Sequence, residues 1–70
     1  MKVFELKSHE FIELNKLLKL LRIVNSGGEA NLLIENNEVQ VNGSIETQKR
    51  KKLRVGDIIS VQDAVIKITE

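Results

Sequence analysis

Apolar residues follow two different periods along this chain, and the change of period marks its elements. In KVFEL, residues 2–6, the spacing is that of a short strand, with Phe4 and Leu6 on one face. From Ser8 to Val24 the period lengthens. Phe11, Leu14, Leu17, Leu18 and Leu21 fall within roughly a third of a helical wheel, and Asn15, Lys16, Lys19 and Arg22 occupy the opposite arc. Ser8 is the expected N-cap of this helix, with Glu10 placed near its positive end. Residues 25–37 predict a second, shorter helix. Ser26 and Glu29 have the spacing of a capping box, the helix starts at Gly27, and Ala30, Leu33 and Ile34 form its apolar stripe. Asn36 and Asn37 suit its end, because asparagine tolerates the left-handed conformation better than most residues. Val39 and Val41 then alternate into Asn42-Gly43, a strong two-residue hairpin signal, and Ile45 begins the return strand. A turn at VGD (55–57) leads into two further apolar strands, IISV and VIKIT, and the last strand and the first could pair. The predicted order is β-α-α-β-β-β-β. This is an α+β domain, with a two-helix hairpin packed on a small, mostly antiparallel β-sheet of four to five strands.

Seventy residues make one domain, 1–70, with a limited core. There is no cysteine, hence no disulfide and no thiolate metal site. MKVFELKSHE does not read as a signal peptide, and the leucine-rich run 17–24 is broken by Lys19 and Arg22, so no membrane span is expected. The cytoplasm is the natural compartment, and no exposed apolar stripe demands more than a monomer.

Charge changes the picture once it is divided by segment. The whole chain carries +1, but residues 49–54 contain Lys49, Arg50, Lys51, Lys52 and Arg54 and no acid. Residues 15–22 add Lys16, Lys19 and Arg22, again without an acid, and the remainder of the chain stands at −7. If the two basic segments meet, they form a patch able to bind a polyanion.

No enzymatic constellation is visible. The one histidine, His9, lacks a second histidine or a cysteine with metal-ligand spacing, and both aspartates, Asp57 and Asp63, sit at predicted turns. The chain is therefore read as non-enzymatic, without metal or cofactor. Gly27 and Gly28 leave the second helix's first N–H groups sterically open, which suits phosphate. They are equally the residues of a tight inter-helix turn, and no phosphate-loop lysine follows them. The 49–54 run could be a solvated loop or a nuclear localisation signal, but two basic segments in an otherwise acidic chain favour a nucleic-acid patch. Phe4 and Phe11, the only aromatics, fall on predicted core faces, so base stacking is not expected and recognition by backbone and shape is.

These residues carry a resemblance. From ELNKLLKLLRIVNSGGEANLLIENNEVQVNGSIE through KLRVGDII (13–59), the chain resembles the RNA-binding domain named for protein four of the small ribosomal subunit, the alpha-L domain. The matching features are Ser26, Ala30, Val39-Gln40-Val41-Asn42-Gly43 and Gly56-Asp57-Ile58-Ile59. The SGGEA and ETQKRKKL segments are most similar to those of small stand-alone bacterial members. The resemblance implies an alpha-L fold and binding of structured RNA, ribosomal or transfer RNA in class. Contacts are implied at Lys16, Lys19, Ser26, Gly27, Gly28, Asn42 and the run Lys49 to Lys52. Glu13, Gly27 and Asn31 stand where many members have a basic residue, and Asn37 where a glycine is common. The run at 49–52 replaces the lost bases on this reading. Two alternatives remain open: a module docking an acidic, ribosome-associated protein through the same surface, and DNA binding, since phosphate contacts do not report the sugar.

Overall fold

The computed structural model describes residues 1–70. Its elements are β1 (Lys2–Glu5), β2 (Ile12–Glu13), α1 (Leu14–Leu20), α2 (Gly27–Glu35), β3 (Val39–Val41), β4 (Ser44–Ile45), β5 (Lys52–Leu53), β6 (Ile58–Val61) and β7 (Ala64–Thr69). Five strands form one sheet in the order β1-β7-β6-β3-β4, antiparallel except for the β1–β7 pair. The expected pairing of first and last strands is therefore present, and it is parallel. A separate two-stranded ribbon joins β2 to β5.

Strand alternation decides which side of the sheet is buried. Ile59 lies opposite both Val41 and Ile66, Val61 opposite Val39, and Phe4 opposite Ile68. These residues face the helices, and together with Leu14, Leu17 and Leu18 of α1 and Ala30 and Ile34 of α2 they make one apolar core. No polar or charged residue is buried. Each fully buried leucine contributes about 1.5–3 kcal/mol relative to exposure. On the outer face Val3, Lys67 and Ile58 stand side by side, uncovered by any element. No helix is long and apolar enough to cross a membrane.

The first helix begins five residues later than its periodicity predicts, with Glu13 rather than Ser8 at its N-cap position. Lys7 and Ser8 are both left-handed (φ 52° and 74°), so the chain turns after β1 and Ser8 caps nothing. Residues 12–13 are then extended because they pair with Lys52 and Leu53. At the other end, Arg22 does not share the helical face of Lys16 and Lys19. It has φ 60° and follows the helix in a Schellman arrangement, in which Ile23 N–H donates to Leu18 C=O (3.1 Å) and Arg22 N–H to Lys19 C=O (3.1 Å).

The second helix follows its signals. Ser26 Oγ accepts from Glu29 N–H at 3.2 Å. Asn37, at φ 62°, closes the helix with Glu38 N–H donating to Leu33 C=O (3.0 Å). Asn42 and Gly43 both have positive φ (53° and 86°), as a type I′ hairpin turn requires.

A left-handed arginine is strained where glycine is not. Arg22→Gly is expected to stabilise the fold by about 1 kcal/mol, a rise of several degrees in Tm for a domain of this size. Thermal unfolding followed by circular dichroism measures it, and no rise would mean that the Arg22 side chain has a compensating contact.

Candidate nucleic-acid interface

A helix cannot satisfy its own first N–H groups. In α1 no side chain does so, and no acidic residue lies in its first turn. The basic segment supplies the missing acceptors with its main chain. Leu14 N–H donates to Lys51 C=O at 2.9 Å and Asn15 N–H to Lys49 C=O at 3.0 Å. Leu53, completely buried, anchors the segment, and its pairing with Ile12 fixes the register. The backbone of 49–53 is thus held while its charged side chains are left over. Lys49, Arg50, Lys52 and Arg54 are exposed, as is Lys16 on the adjoining first turn of α1.

The cations are lightly engaged. Lys49 Nζ lies 3.2 Å from Glu35 Oε2 at the end of α2, and an Arg54 guanidinium nitrogen 3.9 Å from Glu10 Oε2. Both pairs are solvent-exposed, and such pairs contribute about 0–1 kcal/mol. Lys52 Nζ sits 5.0 Å and Arg54 Cζ 5.7 Å from the centre of the Phe11 ring, within cation–π range. Phe11 is only partly buried, so its assignment to the core is corrected. It stands outside the helix because the β2–β5 ribbon precedes α1. The one sequence signal was the spacing of Lys52 and Arg54, on either side of the apolar Leu53.

The twelve predicted contact residues form two groups at opposite ends of the helical hairpin. Lys16, Lys49, Arg50, Lys51, Lys52 and Arg54 gather around the start of α1. Arg22, Ser26, Gly27 and Gly28 lie where α1 ends and α2 begins. Lys19, one turn from Lys16 and about 4.5 Å further along the axis, lies between the groups. At the α2 start a Cβ on Gly27 would meet nothing within 4 Å, and one on Gly28 only Ser26 Oγ at 3.8 Å. Packing therefore does not require glycine at either position.

Asn42 belongs to neither group. Its Nδ2 donates to Asp57 Oδ1 (3.0 Å), its Oδ1 accepts from Ile58 N–H (2.9 Å), and Asp57 Oδ2 accepts from Arg54 N–H (2.8 Å). The hairpin turn is thereby tied to the turn that ends the basic segment. Asn31, where a base was missing, is joined across the helices to Asn15, whose Nδ2 donates to its Oδ1 at 3.4 Å.

Residues 4–69 match the family model of the S4 domain. The chain belongs to the S4 domain family. Among its S4 relatives is a protein of Escherichia coli named "Putative RNA-binding protein YbcJ", 40% identical over 60 residues and aligned over 86% of each chain. Another is the "Probable ribosome maturation protein RlbA" of Bacillus subtilis, 36% identical over 53 residues, with 76% of this chain and 75% of the relative aligned. The solution structure of E. coli YbcJ, described as revealing an alfaL motif involved in RNA binding, superposes with a TM-score of 0.77 at 34% identity, covering all of this chain and 89% of that one. The alpha-L architecture is therefore that of this chain too. Trimeric heat shock protein 15 of Vibrio cholerae shares the fold, with a TM-score of 0.74 at 23% identity over 87% of this chain and 65% of that one.

Because the Asn42 amide is committed to the fold, Asn42→Ala is expected to destabilise it by about 1–2 kcal/mol, leaving Asp57 and the Ile58 N–H without their partner. Urea unfolding tests this, and unchanged stability would show that water replaces the amide without loss.

Proposed function

We propose that this chain is a small non-enzymatic RNA-binding protein that grips phosphates of folded RNA, ribosomal or transfer RNA in class. Residues 1–70 act as one binding domain, and the grip lies within 13–59. The observation that carries the reading is the docking of the 49–53 backbone on the start of α1. It holds five cations of one segment beside Lys16 with no charge buried and few ion pairs to break. Lys19 continues the track toward Arg22, and Ser26, Gly27 and Gly28 complete it at the second helix, where open N–H groups suit a phosphate. Asn42 positions the end of the basic segment. The names of the E. coli and B. subtilis relatives support RNA as the partner and the ribosome as its setting. The cytoplasm is the matching compartment.

A second reading keeps the surface and changes the partner to an acidic protein. Glu35 and Glu10 already engage Lys49 and Arg54 within the chain, so the run accepts carboxylates. Pull-downs with and without ribonuclease separate the two readings, since a protein partner survives digestion and an RNA-bridged one does not.

The direct test is affinity for ribosomal RNA fragments and for a DNA duplex of matched length across a salt series. With about six phosphates engaged, the log–log slope is expected near −4 to −5, and a fourfold rise in salt should lower affinity by roughly 250- to 1,000-fold. A variant with Lys49, Arg50, Lys51 and Lys52 all changed to Ala keeps the carbonyls that cap α1, so it should fold and yet show a much shallower slope. A flat wild-type response would overturn the phosphate grip. Equal affinity for DNA would leave the grip and remove its preference for RNA.

A further inference from the structure

The turn at Lys7 and Ser8 carries the chain away from β1 and back across the front of α1. Between them it leaves an open groove of about 590 Å³ walled by Phe4, Phe11 and Leu20. Both aromatic residues of the chain meet there. Leu20 is 56% exposed, an apolar wall with nothing packed on it. The volume is in the range of small-ligand sites.

Charge around the groove is arranged in an unusual way. Inside it, the carboxylates of Glu5, Glu10 and Glu13 outnumber the ammonium groups of Lys7 and Lys16. The carboxylates make the interior a poorer place for a phosphate than the 49–54 segment, which has no acid. The cations Lys52 and Arg54 lie over the Phe11 ring at the edge of the groove without lining it, and Arg54 reaches Glu10 of its lining at 3.9 Å. An apolar, aromatic cleft with hydrogen-bond acceptors inside and phosphate-binding cations just outside is complementary to one kind of group. A nucleotide divides in the same way, with a flat, amine-bearing base on one side and an anionic backbone on the other.

We propose that this groove receives a single unpaired purine base of the bound RNA, stacked on Phe11, while Lys52 and Arg54 hold its flanking phosphates. A purine offers the larger π-face, and its amino group can donate to the carboxylates. The proposal rests on the RNA-binding reading above. It adds a site at which that RNA is recognised through a base rather than its backbone alone, and it locates the site between β1, residues 7–13 and α1, where it shares only Lys16 with the contacts implied by the family resemblance.

The test uses two synthetic RNA hairpins, one fully paired and one carrying a single bulged 2-aminopurine. Wild-type protein should bind the bulged hairpin about tenfold more tightly, since stacking one base on an aromatic side chain has about that effect. The 2-aminopurine fluorescence should change on binding. Phe11→Leu keeps an apolar group of similar size, and it should erase the preference and the fluorescence change without altering the salt slope. Leu20→Gln changes an exposed residue of the groove lining with no change of charge and no loss from the core, and should weaken the preference in a folded protein. Equal affinity of wild type for both hairpins, with no fluorescence change, overturns the base site and leaves the phosphate grip standing. Loss of both hairpins to the same extent in Phe11→Leu also overturns it, by reducing Phe11 to a support for Lys52 and Arg54. A ribonuclease-resistant partner lost with Phe11→Leu would assign the groove to a protein side chain instead. Binding of neither hairpin at moderate salt overturns the RNA reading together with this one.

Discussion

The N–H groups at the start of α1 need acceptors, and the chain provides them from residues almost forty positions away. Lys51 and Lys49 take part in these bonds only through their carbonyl oxygens, which accept, and not through their charges. Main-chain bonding of this kind is indifferent to side-chain identity, so the segment is free to carry five cations. Burial of Leu53 and the two-residue ribbon with Ile12 and Glu13 complete the attachment. Everything else at this end of the molecule depends on it. The late start of α1, the exposure of Lys16, the position of Phe11 under two cations and the groove behind its ring all follow from the segment lying where it does.

Fixing the main chain while leaving the side chains loose is a suitable arrangement for binding a polyanion. A buried charge must be paired or it destabilises the fold by several kcal/mol, and this protein buries none. Its cations remain in water, where their attraction to the acids of the same chain is weak and screened. The pairs with Glu35 and Glu10 could be broken at little loss to the fold.

The sheet has a supporting role. Its helix-facing side supplies six of the fifteen buried residues, and the Asn42–Asp57 link ties the end of the basic segment to that sheet. The fold thus separates two tasks. Alternating Val and Ile residues in β3, β6 and β7 hold the domain together with the buried faces of the two helices, and the 49–54 segment, which contributes only Leu53 to the core, carries the charge.

Much of this was visible in the linear chain, for reasons that are local. The capping box at Ser26 and Glu29, the left-handed Asn37, the Asn42-Gly43 turn and the alternation after Gly56 each depend on residues within a few positions of one another. The order of the main-sheet elements and the side each strand buries follow from them, as does the clustering of charge at 49–54. What tertiary structure alone decided is longer in range. A pairing of two residues with two others turned Ile12 and Glu13 into a strand against a helical pattern, and so removed Ser8 from its cap and Phe11 from the core. Such a pairing leaves no periodic trace, because two residues are too few to show a period. The same contact divided the basic residues between the two ends of the helical hairpin, which a count of charges along the chain could not reveal. Hydrogen bonds between main-chain groups carry no signature in the side chains, and here those bonds placed the site.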